Sequence, residues 1–146
     1  LDASVLYPLL ATDPDFAAVV GHTGCGAITA ALREVTGREE ADERLRSHLD
    51  LLVPLVEQGL EEVGTGDSES ETVNRLVEYN VHRQVEFLLD AADDTPVAGL
   101  VCDLHGAFGP ETARLHLVNL EGETDRTEFP PELREFEASD SYSTKQ

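Results

Sequence analysis

The stretch VVGHTGCGAITAAL, residues 19–32, runs from a short apolar segment through a glycine-rich turn into residues with helical spacing. With FAAVV (residues 16–20) it begins as a nearly unbroken apolar run. Such a run predicts a strand buried on both faces of a parallel sheet. AITAALREV (residues 27–35) predicts a helix. The unit is therefore strand, turn, helix, and the turn GHTGCG carries His22, Cys25 and Gly26. In α/β proteins the loops at the carboxyl ends of parallel strands are where sites are placed.

Outward from this unit, residues 2–11 predict a helix, with Asp2 as N-cap and Val5, Leu6, Leu9 and Leu10 at helical spacing. TDPD (residues 12–15) ends it. Residues 36–44 are a charged connection. Residues 45–63 predict a helix from Leu45, Leu49, Leu52, Val56 and Leu60, kinked or split at Pro54. After the linker GTGDSES, Ser68 and Glu71 form an S-x-x-E capping box. The helix that follows shows Val73, Leu76, Val77, Val81, Val85, Leu88 and Leu89 on one broad face. PVAGLVCDLHG (residues 96–106) predicts a second strand. ARLHLVNL (residues 113–120) alternates and pairs with it as a hairpin. Residues 122–146 form an acidic tail, predicted to be mobile, after a domain spanning 1–121.

The predicted order is α, β, α, α, α, β, β. Helices separate the two apolar strands, which makes that pair parallel with a crossover between them. The fold class is α/β, with a mostly parallel sheet, flanking helices and an antiparallel edge strand. Three strands make a thin sheet for so many helices. A further piece, or another chain, is expected to complete it.

Composition bounds the partners. Thirty acidic residues face ten basic ones, for a net charge of -20 over 146 residues. Lys145 is the only lysine. Such a field repels nucleic acid and anionic membrane, and the chain has neither a basic patch nor many aromatics. No nucleic-acid or membrane partner is expected, since no apolar run nears the ~18 residues of a membrane span. Acidity spread along the chain suits molar salt, where the Debye length falls to about 3 Å. A halophile's cytoplasmic protein is the reading adopted. Two cysteines, Cys25 and Cys102, do not make a secreted disulfide scaffold. The chain has no Met, which suggests that it starts partway into a larger product or was processed.

Three functional readings of the turn compete with that of a packed turn holding a buried Cys. A phosphate loop needs Lys and Ser/Thr after its last glycine, and Gly26 is followed by Ala27 and Ile28. A dinucleotide fingerprint needs G-x-G-x-x-G, whereas the spacing here is G-x-x-G-x-G. The third reading is a metal site. His-x-x-Cys brings an imidazole and a thiolate to one point, a donor pair that suits zinc. Gly21, Gly24 and Gly26 let the backbone bend and approach a ligand, and the helix start favours an anion or a thiolate.

The same stretch resembles the zinc loop of the β-class carbonic anhydrases. HLDLLVPLV resembles the helix after that loop. VEYNVHRQVEFL resembles the family's long helix, with its Asn-Val pair and later Gln. VAGLVCDLHGAFGPETARLHLVNLEG resembles its late hairpin, with Cys102 where an aromatic is more usual. The resemblance spans residues 1–122. It implies that His22 and Cys25 are the second and third ligands of a Cys-His-Cys zinc site, with the backbone of Gly26 open to substrate. It further implies reversible hydration of carbon dioxide to bicarbonate, and a homo-oligomer of at least two chains. The zinc makes water nucleophilic near neutral pH.

The departure from the family is as specific. The family's first zinc cysteine belongs to a C-x-D-x-R motif on an earlier strand, and a later N-A-G segment lines the site. None of these occurs here. The chain is thus expected to be the C-terminal portion of such an enzyme, truncated at the N-terminus and inactive alone. Cys102 is read as core filling. His105 is a candidate to approach His22 if their strands are neighbours. His48, His82 and His116 are read as solvated or packing residues. The competing reading is a non-catalytic α/β binding or interaction module that keeps a remnant of the fold. A nucleotide-binding domain is the third.

Overall fold

In the computed structural model the described residues are 3–38, 42–92 and 94–135. The elements are α1 (Ala3–Ala11), β1 (Ala17–His22), α2 (Gly26–Val35), α3 (Glu43–Leu49), α4 (Leu52–Val63), α5 (Glu69–Ala91), β2 (Val97–Asp103), β3 (Arg114–Leu120) and α6 (Pro131–Glu135). A one-turn 3-10 helix, Arg126–Glu128, lies between β3 and α6. The predicted order of the main elements is the observed one. Asp2, the expected cap of α1, lies outside the described residues.

Strand order is β1-β2-β3, with β1 parallel to β2 and β3 antiparallel to it. The sheet is therefore mixed, with one parallel pair. Among the described residues β1 pairs only with β2, so its other edge has no strand beside it.

The helix α5 lies across all three strands. Its N-terminus is set as predicted: the Ser68 hydroxyl accepts the N–H of Glu71 at 3.1 Å. Glu71 reaches back to the N–H of Asp67 at 2.9 Å, one residue before the cap. Val73, Leu76, Val77, Val81, Val85 and Leu88 are buried. Two glycines admit this helix. A Cβ on Gly21 would stand 2.8 Å from Val81 Cγ2, and one on Gly99 would stand 2.8 Å from Val81 Cγ1. Strand and helix backbones approach where no side chain intervenes.

The helices α2 and α4 complete the core with Ile28, Ala31, Leu32 and Val56. The predicted helix over 45–63 is two helices, as one form of the expectation had it. The break falls at Asp50–Leu51, upstream of Pro54. Pro54 lies in the first turn of α4, where its missing N–H has no intrahelical acceptor to lose.

Two expectations are overturned. The apolar run of β1 predicted burial on both faces, but only one is covered. Alternate residues along β1 are exposed, and Val20 keeps 57% of its surface accessible. The same open face carries Leu100 and Cys102 of β2, paired with Leu117 and Leu115 of β3. Cys102 is therefore half-exposed on this face instead of filling the core. The reason is the pleat: Val97, Gly99, Val101 and Asp103 point toward α5, so the residues between them point away.

The predicted tail is described as far as residue 135, and 136–146 lie outside the described residues. Within it Phe129 is buried. No described helix is long and apolar enough to cross a membrane.

Candidate metal centre

His22 is the last residue of β1, so the strand runs one step into the predicted turn. Its side chain is exposed. Its Nδ1 lies 3.1 Å from the carbonyl oxygen of Thr23. A carbonyl only accepts, so in the neutral ring this contact puts the proton on Nδ1 and leaves the Nε2 lone pair free. A metal-bound imidazole commonly donates its other ring N–H to such a carbonyl.

Cys25 is the N-cap residue of α2, and its side chain makes no capping bond. The thiol is partly buried against the core. Its carbonyl instead accepts both the N–H and the hydroxyl of Thr29, each at 2.9 Å. Gly26 opens α2, is exposed, and has open space where a Cβ would be.

The two residues between His22 and Cys25 are tied down. The N–H of Thr23 donates to Cys102 O at 3.0 Å. Its hydroxyl accepts from the N–H of Leu104 at 2.8 Å and lies 3.3 Å from Asp103 Oδ1. The N–H of Gly24 donates to Asn74 Oδ1 of α5 at 2.9 Å. Gly24 has φ +66, and a Cβ there would lie 2.6 Å from Cε1 of His105. Only glycine meets both conditions.

Asp103, at 0% exposure, anchors this corner. Its carboxylate accepts the N–H groups of His105, Ala107 and Phe108 at 3.1, 3.0 and 2.8 Å. Burial pushes its pKa up. The three amides and the Thr23 hydroxyl together outweigh burial and hold it below the ordinary carboxylate value.

His105 reaches the turn at Thr23 and Gly24, because β1 and β2 are neighbours. Its Nδ1 lies 3.0 Å from Thr23 Oγ1. Cys102 is the register partner of His22 and shares its face of the sheet. His48 is exposed. His82 sits between Glu78 and Asn119, and His116 stacks on Phe108.

Imidazole and thiol suit zinc in kind. In number they are half of a tetrahedral set. Among the described residues, no three His, Cys, Asp or Glu side chains group closely enough to hold a metal ion. Thr23, Asp103 and Asn74 were not singled out from the sequence. The one available signal was Asp103 itself, a charged residue closing an apolar strand.

A strand-turn-helix unit with this donor pair, on a sheet backed by one long helix, has a family. The chain belongs to the carbonic anhydrase family: the family model matches residues 1–107. It is of the β class by its structural likeness to the β-carbonic anhydrase CafA of the fungal pathogen Aspergillus fumigatus. That likeness has a TM-score of 0.61 at 26% sequence identity, and covers 92% of this chain and 59% of that one. The chain thus spans less than two thirds of that structure's length. No curated protein sequence matches it.

Proposed function

We propose that this chain carries part of the zinc site of a β-class carbonic anhydrase, with His22 and Cys25 as two of its ligands and Gly26 beside the metal. The observation that carries the reading is the orientation of His22, whose Nδ1 is engaged by Thr23 O. Its bare Nε2 stands three residues before a cysteine with no capping role. A third ligand comes from beyond these residues. Zinc held there supplies a Lewis acid that makes water nucleophilic near neutral pH. The reaction is the reversible hydration of carbon dioxide to bicarbonate.

In this reading residues 1–121 are the carbonic-anhydrase-like domain and 122–146 an acidic tail. The 146 residues alone do not hydrate carbon dioxide. The open face of the sheet, with Val20 and Leu115 exposed, supports a homo-oligomer. The unpaired cysteines support a reducing, cytoplasmic setting, and the net charge of -20 supports a salt-rich one.

The test compares zinc content and carbon dioxide hydration of the 146-residue chain with those of a chain extended upstream in its own reading frame. A C-x-D-x-R segment in that extension, with zinc and activity restored, is the expected result. Stoichiometric zinc and fast hydration from the 146 residues alone would refute the claim of inactivity.

One observation favours a second reading, a non-catalytic α/β binding or interaction module: no third ligand stands beside His22 and Cys25 among the described residues. Under it, the extended chain neither gains zinc nor loses any property when His22 or Cys25 becomes Ala.

A further inference from the structure

We propose that Thr23 and Asn74 are positioning residues that clamp the metal turn from opposite sides, and that buried Asp103 acts through Thr23. The inference rests on the zinc reading of His22 and Cys25. In His22-Thr23-Gly24-Cys25 the outer two residues are the ligands and the inner two are the held ones. Thr23 is bound to the end of β2, and Gly24 to α5. The clamp sets the spacing and direction of the ligands before a metal arrives.

The proton count of the Thr23 hydroxyl gives the clamp its direction. A hydroxyl has one proton and two lone pairs. One lone pair takes the N–H of Leu104 at 2.8 Å. An ionised Asp103 only accepts, and three of its acceptor positions hold backbone amides. The Thr23 proton joins the amides of His105 and Ala107 on Oδ1, at 3.3 Å. The remaining lone pair of Thr23 then accepts from Nδ1–H of His105 at 3.0 Å. The chain runs His105, Thr23, Asp103, each donating to the next. It lays the His105 imidazole over Gly24, which a Cβ there would prevent.

On the other side, Asn74 Oδ1 takes the one remaining N–H between the ligands. With both inner residues fixed, the carbonyl of Thr23 stays where it meets His22 Nδ1. Loss of either clamp frees that carbonyl, and with it the orientation of the ligand ring.

The test uses the 146-residue chain and three variants: Thr23→Val, which keeps the shape and removes the hydroxyl, Thr23→Ser, which restores it, and Asn74→Ala. Two readouts are taken. Nitrogen NMR of the metal-free chain reports which ring nitrogen of His22 and His105 carries the proton. Cobalt titration, read by thiolate-to-metal absorbance, reports affinity. The expected wild-type state has both rings protonated on Nδ1. Thr23→Val should lose that preference at both rings and bind cobalt about 10- to 100-fold more weakly. Asn74→Ala should weaken cobalt binding and disturb His22. Thr23→Ser should recover both signals.

Folded Thr23→Val and Asn74→Ala chains with unchanged tautomers and cobalt affinity would overturn the proposal. If Thr23→Val does not fold, Asn74→Ala and Thr23→Ser decide it, since Asn74 is only half-buried. Where the 146 residues take up no cobalt for want of the third ligand, the titration is made on the upstream-extended chain, and no uptake there contradicts the zinc reading alone. The metal-free tautomer comparison then still decides the clamp.

Discussion

Gly21 of β1 lies directly under Val81 of α5, at a separation that leaves 2.8 Å between a Cβ on the glycine and Val81 Cγ2. Val77 Cγ1 closes the other side at 3.0 Å. The residue that lets α5 settle on the sheet therefore also sits immediately before His22. The packing of the core and the placement of the candidate ligand share one backbone step.

Gly21→Ala should accordingly destabilise the fold by about 1–3 kcal/mol, the usual cost of overpacking a filled core. Urea unfolding measures it. A change below about 0.5 kcal/mol, the range of neutral surface substitutions, would mean that α5 yields freely to the methyl.

His22→Ala should behave in the opposite way. The side chain is exposed, and its one described hydrogen bond is to its own neighbour. Stability without metal should stay within about 0.5 kcal/mol of the parent, while zinc retained by the upstream-extended chain falls sharply. Equal zinc in parent and variant would remove His22 from the ligand set.

Asp103 predicts a pH dependence. Its pKa in the folded chain lies below the ordinary value of 3.8. Folding therefore favours the ionised form. The resulting stability is fully present above the ordinary value and is lost as pH falls through the lower, folded one. Asp103→Asn removes this source. Near neutral pH the variant should be less stable by roughly 1.5–3 kcal/mol, the worth of hydrogen bonds to a charged group. The gap should narrow as pH falls below about 4, where the unfolded carboxyl is protonated. A gap that stays constant from neutral pH down to acid unfolding would contradict the assignment.

Salt should stabilise the chain. With thirty acidic and ten basic residues, its self-repulsion at low ionic strength is large. Raising KCl from about 0.1 M to about 2 M shortens the Debye length from about 10 Å to below about 3 Å. The melting temperature should rise across that range. A flat or falling curve would count against a salt-adapted origin.

Much of this was legible in local pattern. The α5 face showed itself because helical spacing places Val73, Leu76, Val77, Val81, Val85 and Leu88 on one side, and burial of that side is what holds the helix. Ser68 was legible because a cap acts on the next few residues of its own chain. His22 and Cys25 were legible because a short ligand spacing at a strand end is local chemistry. The open face of β1 was not. An apolar run reads alike whether one face or both are covered, and coverage depends on what the rest of the chain places there. Cys102 was misread for the same reason.

The sequence by itself determined the order of helices and strands, the acidic field, and a His-x-x-Cys turn leading into a helix. These follow from spacing, charge and turn chemistry along a continuous stretch. Only the tertiary structure decided what holds that turn. Thr23 meets Asp103 and His105 across some eighty residues, and Gly24 meets Asn74 across fifty. Such contacts arise when β1 pairs with β2 and α5 packs over both, so no local pattern announces them.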